Sequence, residues 1–174
     1  MEPRVSLAEI VEGFDIGQFG AAPTSFDPAD LFAMTEKVLK ITPYGDIAGR
    51  LRVSVVASEE CGGAVGETFW LAVRENLATL ADAKDWWDVC QGRATPRIDA
   101  EDATFVREAL ALLPPQPWDT ATWKAWTDAV KAASGRKGRA LFLPLRKALT
   151  GRESGPDMAA LMPLFPEGYM KGFT

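Results

Sequence analysis

Between Ala129 and Arg152 stand seven basic residues (Lys131, Arg136, Lys137, Arg139, Arg146, Lys147 and Arg152) and no acidic one. The chain as a whole is acidic, with a net charge of −5. Its other 150 residues hold 12 basic against 24 acidic groups, a charge of −12. A solvated helix face usually mixes signs, because opposite charges four residues apart stabilise it. A run of one sign costs self-repulsion, and it draws an anion that the rest of the surface repels. The chemistry this suits is phosphate neutralisation, with an arginine fork free to read a planar acceptor edge. Gly135, Gly138 and Gly151 let backbone N–H groups come close to a ligand. Pro144 reads as the first residue of a helix whose positive dipole end suits a phosphate. The competing readings are an acidic protein partner, or docking of the segment against the chain's own acidic surface.

Other constellations are weaker. The chain has no histidine, which removes Ser/His/Asp and Cys/His nucleophile systems and histidine-built zinc sites. Cys61 and Cys90 match no metal spacing and cannot make a four-sulfur site, so they read as reduced thiols. Glu59-Glu60 and Glu101-Asp102 are adjacent pairs that diverge around a helix. Asp82, Asp85 and Asp88 share a helix face better read as solvated than as a cation site. Cys61-Gly62-Gly63 lacks the Lys-Ser/Thr ending of a phosphate loop. Trp86-Trp87 and Trp123/Trp126 could stack bases. Their spacing fits a core better, with one of the first pair buried and the other half-covered. No catalytic residue and no metal or cofactor site is expected, and no apolar run reaches bilayer length.

The elements that position the basic segment read as helices. Ser6, with Glu9 three residues on, caps a helix to residue 12. Gly13 to Ser25 reads as an ordered loop pinned by Phe14, Ile16 and Phe19. Asp27 and Pro28 open a helix burying Leu31, Phe32, Met34, Val38 and Leu39. Tyr44–Leu51 is a short helix, Val53–Ala57 a brief strand and 58–66 a loop. Amphipathic helices follow over 67–80, 82–92, 101–113 (capped near Asp99) and 119–133. Pro144 starts another that stops at Gly151, and Pro156 opens a last one to about Leu164. The tail from Gly168 is expected to fray. The whole is all-α, with Leu112–Pro117 dividing a first subdomain, 1–113, from a second, 114–174.

At Gly138–Pro163 the residues become specific. The run GRALFLPLRKALTGRESGPDMAALMP resembles the C-terminal anticodon-binding region of bacterial glutamyl-tRNA synthetases, where a PLR-x-A-L-T-G core precedes a short loop, a proline and a final apolar helix. Phe26-Asp27-Pro28-Ala29-Asp30-Leu31 is similar to the F-D-x-x-x-L that follows that family's catalytic half. Phe69–Leu77 and Asp85-Trp86-Trp87 resemble α-proteobacterial members. The likeness covers nearly the whole chain, least in 52–66. One departure is Thr35, where the family commonly carries Asn. The family's HIGH-type and KMSKS-type signatures have no counterpart, so the chain reads as a C-terminal fragment, with a natural stand-alone paralogue as the alternative.

The resemblance implies a multi-helix anticodon-binding architecture of two packed subdomains. It implies that Arg146 contacts an anticodon base, and that Leu143, Thr150, Gly155, Pro156 and Met158 wall the anticodon nucleotides. Arg136, Lys137, Arg139, Lys147 and Arg152 would then neutralise phosphates. The expected partners are the anticodon arm of tRNA(Glu) and the catalytic half of the parent synthetase, to which ATP and Mg would belong. The protein is expected to be cytoplasmic and monomeric. A stand-alone helical adaptor binding an acidic protein or other polyanion through 131–152 is the other reading.

Overall fold

A side-chain acceptor followed by a proline opens the first long helix. Asp27 accepts a hydrogen bond from the Ala29 N–H at 2.9 Å, and Pro28 takes the position where a missing N–H costs least. The computed structural model describes residues 3–4, 6–18, 20, 27–55 and 66–169. Among these are nine α-helices, five 3-10 turns and no strand, so the chain is all-α. It forms two compact units, residues 1–84 and 85–174, and the Leu112–Pro117 run lies inside the second.

The first unit holds α1 (Leu7–Glu12), α2 (Pro28–Ile41), α3 (Tyr44–Val55) and α4 (Glu67–Val73). Ser6 caps α1 as expected, accepting from the Glu9 N–H at 3.2 Å. The core gathers Leu39, Ile47, Leu51, Phe69, Trp70 and Val73. Trp70 is fully buried, and its indole N–H donates to the Thr42 carbonyl at 3.0 Å, which fixes α4 beneath the α2–α3 turn. Several expectations change. The β-branched Val53–Val55 stretch continues α3 instead of forming a strand, because Val55 completes the stripe of Ile47 and Leu51. The helix expected over 67–80 ends at Val73 and passes into 3-10 turns at Arg74–Asn76 and Leu80–Asp82. A reciprocal capping box between Thr79 and Asp82 starts the second of these turns. Of the apolar face expected on α2, Leu39 is buried while Leu31 and Phe32 are 54% and 62% exposed. Phe14 and Ile16, expected to pin the following loop, are 58% and 75% exposed. Residues 19, 21–26 and 56–65, with the Cys61 loop and much of the 13–25 loop, lie outside the described residues.

The second unit begins within α5 (Ala83–Cys90) and continues through α6 (Ala103–Ala111), α7 (Thr122–Ser134), α8 (Arg139–Thr150) and α9 (Met158–Leu161). Asp119 opens α7 by accepting from the Ala121 and Thr122 N–H groups, each at 2.9 Å. Trp126 is fully buried and its N–H donates to the Ala109 carbonyl at 2.8 Å, locking α7 onto α6. Trp123 is only half-covered, edge-on to Trp126 with centroids 5.6 Å apart. Trp86 and Trp87 are both buried, at 5% and 6% exposed, where one was expected to be only half-covered. Tyr169 is held rather than frayed: it stacks on Phe165 with centroids 4.2 Å apart, and its hydroxyl donates to the Leu149 carbonyl. Residues 170–174 lie outside the described residues.

The expected start of the basic helix moves. It begins at Arg139, five residues before Pro144, which therefore sits inside α8. Gly138 leads in at φ +55, and Gly151 ends the helix at φ +71 with its N–H bonded to the Lys147 carbonyl at 2.8 Å. An internal proline brings no N–H to the carbonyl four residues earlier, here that of Ala140. The Arg136 Nη1 donates to that oxygen at 3.3 Å, which allows the helix to run through.

Candidate nucleic-acid interface

Leu143, Arg146, Lys147 and Thr150 recur at three and four residues, so they form one stripe of α8. The loop to α9 folds back against this stripe. The Arg146 Nη1 donates to the Pro156 carbonyl at 2.9 Å, which joins the Pro-Leu-Arg segment to the Gly155–Met158 stretch. Arg146 is half-buried; burial lowers its guanidinium pKa from the ordinary value while the charge of Asp157 acts in the opposite sense. Its planar fork stays charged and partly presented. Leu143 is half-exposed beside it. Thr150 is turned inward, 1% exposed, its hydroxyl donating to the Arg146 carbonyl at 2.8 Å and accepting from the Arg152 N–H at 3.1 Å. Pro156 is buried and Met158 is 1% exposed, so neither side chain is presented to solvent. Gly155 has φ +146, and a Cβ there would stand 2.0 Å from the Trp86 ring.

The cations divide by environment. Lys137 and Arg139 are exposed and make no ion pair among the described residues. Lys131 is exposed on α7, where its charge adds slightly to the lowering of the Asp128 carboxyl that the Lys124 hydrogen bond mainly causes. Arg136 pairs with Asp102 at 2.5 Å and lies over the Phe105 ring, 4.0 Å from its centroid. Lys147 is 4% exposed, hydrogen-bonded to Asp99 and 3.6 Å from Glu153. Arg152 pairs with Asp85 at 2.8 Å and lies 5.0 Å above the Trp86 ring. Three of the seven cations thus dock on the chain's own acidic residues, one of the readings open from the sequence. Asp85, Asp99, Asp102 and Trp86 were read from the sequence in other roles (a solvated face, a cap, a diverging pair and a core ring), and neither they nor Phe105 were expected to engage the basic segment. The one available signal was the −12 charge of the remaining chain, which carries no information on pairing. Among the described residues no three His, Cys, Asp or Glu side chains group as metal ligands, and no helix is long and apolar enough to cross a membrane.

An all-α unit that presents a basic turn and a half-buried arginine fork has the form of a nucleic-acid-reading module, and comparison with known proteins places it. The anticodon binding domain family model matches residues 71–167, and the chain belongs to that family. Over 164 residues, 94% of this chain, it is 50% identical to Glutamate--tRNA ligase 1 of Roseobacter denitrificans. Over the same span it is 48% identical to the Ruegeria pomeroyi protein and 46% identical to the Paracoccus denitrificans protein of that name. The chain spans 36% of the length of each of these relatives, matching their C-terminal regions.

Proposed function

We propose that this chain recognises the anticodon arm of tRNA(Glu), acting as the anticodon-reading part of a glutamate–tRNA ligase. In this reading a catalytic half, using ATP and Mg, joins glutamate to the tRNA that this part has selected, in the cytoplasm. The observation that carries the reading is the Arg146 fork held by the Pro156 carbonyl at 2.9 Å, within a domain of the anticodon-binding family. A bidentate donor fixed at a half-buried position suits the edge of an unpaired base, which an anticodon loop offers and a duplex hides. The exposed Lys137 and Arg139, at the start of α8, supply attraction to phosphate. The identity shared with the glutamate–tRNA ligases makes tRNA(Glu) the expected RNA.

Titrating the chain with tRNA(Glu) and with an unrelated tRNA across salt concentrations tests this. Tighter binding of tRNA(Glu) that persists as salt rises supports the proposal. Equal, weak binding of both would favour an adaptor that takes any polyanion or acidic protein through residues 131–152.

A further inference from the structure

We propose that Arg136 is a positioning residue that sets the geometry of the Arg146 fork, and not one of the phosphate contacts; this rests on the anticodon reading above. Its guanidinium has three engagements in the second unit. It pairs with Asp102 at 2.5 Å, donates to the Ala140 carbonyl at 3.3 Å, and covers the Phe105 ring at 4.0 Å from the centroid. The Ala140 carbonyl is the one that Pro144 leaves without an N–H donor four residues on. Arg136 therefore supplies, from the turn before the helix, the hydrogen bond that the proline takes away within it. Arg146 lies two residues beyond Pro144, so the path of the backbone at 140–144 decides where the fork points. Asp102 and Phe105, at the end of a 3-10 turn and in the first turns of α6, give that path a fixed reference.

Both hydrogen bonds leave one nitrogen, Nη1, while the flat face of the same group rests on the Phe105 ring, and it is this planar face that calls for an arginine. Lysine keeps the charge and several donors on one nitrogen, but it offers no planar face to fix that nitrogen over the ring. The exposed Lys137 and Arg139, on either side of Gly138, are left to meet phosphate.

The two roles separate in one experiment. The full chain and its Arg136→Lys, Arg136→Ala and Lys137→Ala variants are titrated with tRNA(Glu) and an unrelated tRNA across salt, with folding of each checked by circular dichroism. A positioning role predicts that Arg136→Lys lowers the ratio of affinities for the two RNAs about ten-fold or more and leaves the salt slope unchanged. Lys137→Ala should instead weaken both RNAs alike and reduce the slope by about 1. Adding Pro144→Ala to Arg136→Lys restores an N–H to the Ala140 carbonyl, and the ratio should recover in part. The Arg136 role is overturned if Arg136→Lys keeps the unmodified ratio, or if Arg136→Ala lowers the slope and weakens both RNAs equally. Absence of discrimination in the unmodified chain would overturn the anticodon reading itself, and the Arg136 role with it.

Discussion

Arg146 and Pro156 are ten residues apart in sequence, and the Arg146 Nη1 donates to the Pro156 carbonyl at 2.9 Å. That bond does two things at once. It closes the loop between α8 and α9, and it uses one edge of the guanidinium so that the remaining donors have a fixed direction. A side chain that on an open helix would sample many rotamers is thereby preorganised, which lowers the entropy lost when it meets a ligand.

The Arg146→Ala variant should lose discrimination between tRNA(Glu) and other tRNAs by about 1–3 kcal/mol. Arg146→Lys should recover little of it, since an ammonium keeps the charge but cannot make a bidentate contact. Competition binding at fixed salt checks both. Full discrimination in the lysine variant would show that charge alone matters at this position.

Gly155 and Gly135 should respond differently to alanine. At Gly155 the backbone has φ +146, and a Cβ would meet the rigid, buried Trp86 ring at 2.0 Å. At Gly135 the φ is +70, and a Cβ there would find nothing within 4 Å. Urea unfolding should place Gly155→Ala below Gly135→Ala in stability by about 1–3 kcal/mol, the excess being steric. Equal losses would mean that the Trp86 ring can move aside.

What the sequence made legible follows from which forces are local. Ser6, Asp27 and Asp119 satisfy N–H groups within three residues of themselves, so those helix starts could be read directly. The three-residue spacing of Trp123 and Trp126 likewise pointed to the core, where Trp126 is fully buried. Pro144 misled because proline at a helix start is locally favourable, while the hydrogen bond that lets it sit inside α8 comes from Arg136, in the turn before the helix. The pairings of Lys147 with Asp99 and Arg152 with Asp85 span 48 and 67 residues, beyond any spacing rule. Periodicity marked Leu31 and Phe32 as an apolar stripe, but the pattern does not say whether anything covers it. The candidate residues were named from the sequence as a set, while their division into presented and internally engaged groups needed the tertiary structure.

The Lys147–Asp99 pair should leave a mark on acid stability. The hydrogen bond from Lys147 holds the Asp99 carboxyl below its ordinary value against the opposing effect of burial, with lesser help from the charges of Lys147 and Arg97. A carboxyl depressed in the folded state stabilises the fold above its unfolded pKa, about 3.9, and that contribution fades as pH falls through the lower folded value. Lys147→Met, which keeps the buried volume, should flatten this part of the acid limb in urea midpoints measured from neutral pH downward. Asp119 and Asp128, also depressed, by the Thr122 and Lys124 hydrogen bonds, remain in both proteins as the common loss. An unchanged acid limb would mean that the pair does not persist in solution.

Cys90 is fully buried, and burial pushes its thiol up to about 12. In a Cys61→Ala background, a thiol reagent at about pH 8 should label Cys90 only as fast as the protein unfolds, and at once in denaturant. Rapid labelling of the folded chain would show that α5 opens locally.

The most direct test of the central claim changes the RNA and leaves the protein intact. The chain is titrated with tRNA(Glu) and with the same tRNA carrying one altered anticodon base, at two salt concentrations. The predicted result is weaker binding of the altered RNA by about 1–3 kcal/mol, a difference that Arg146→Ala abolishes while both affinities fall together as salt rises. Equal affinity of the unmodified chain for the two RNAs would contradict the claim that it reads the anticodon.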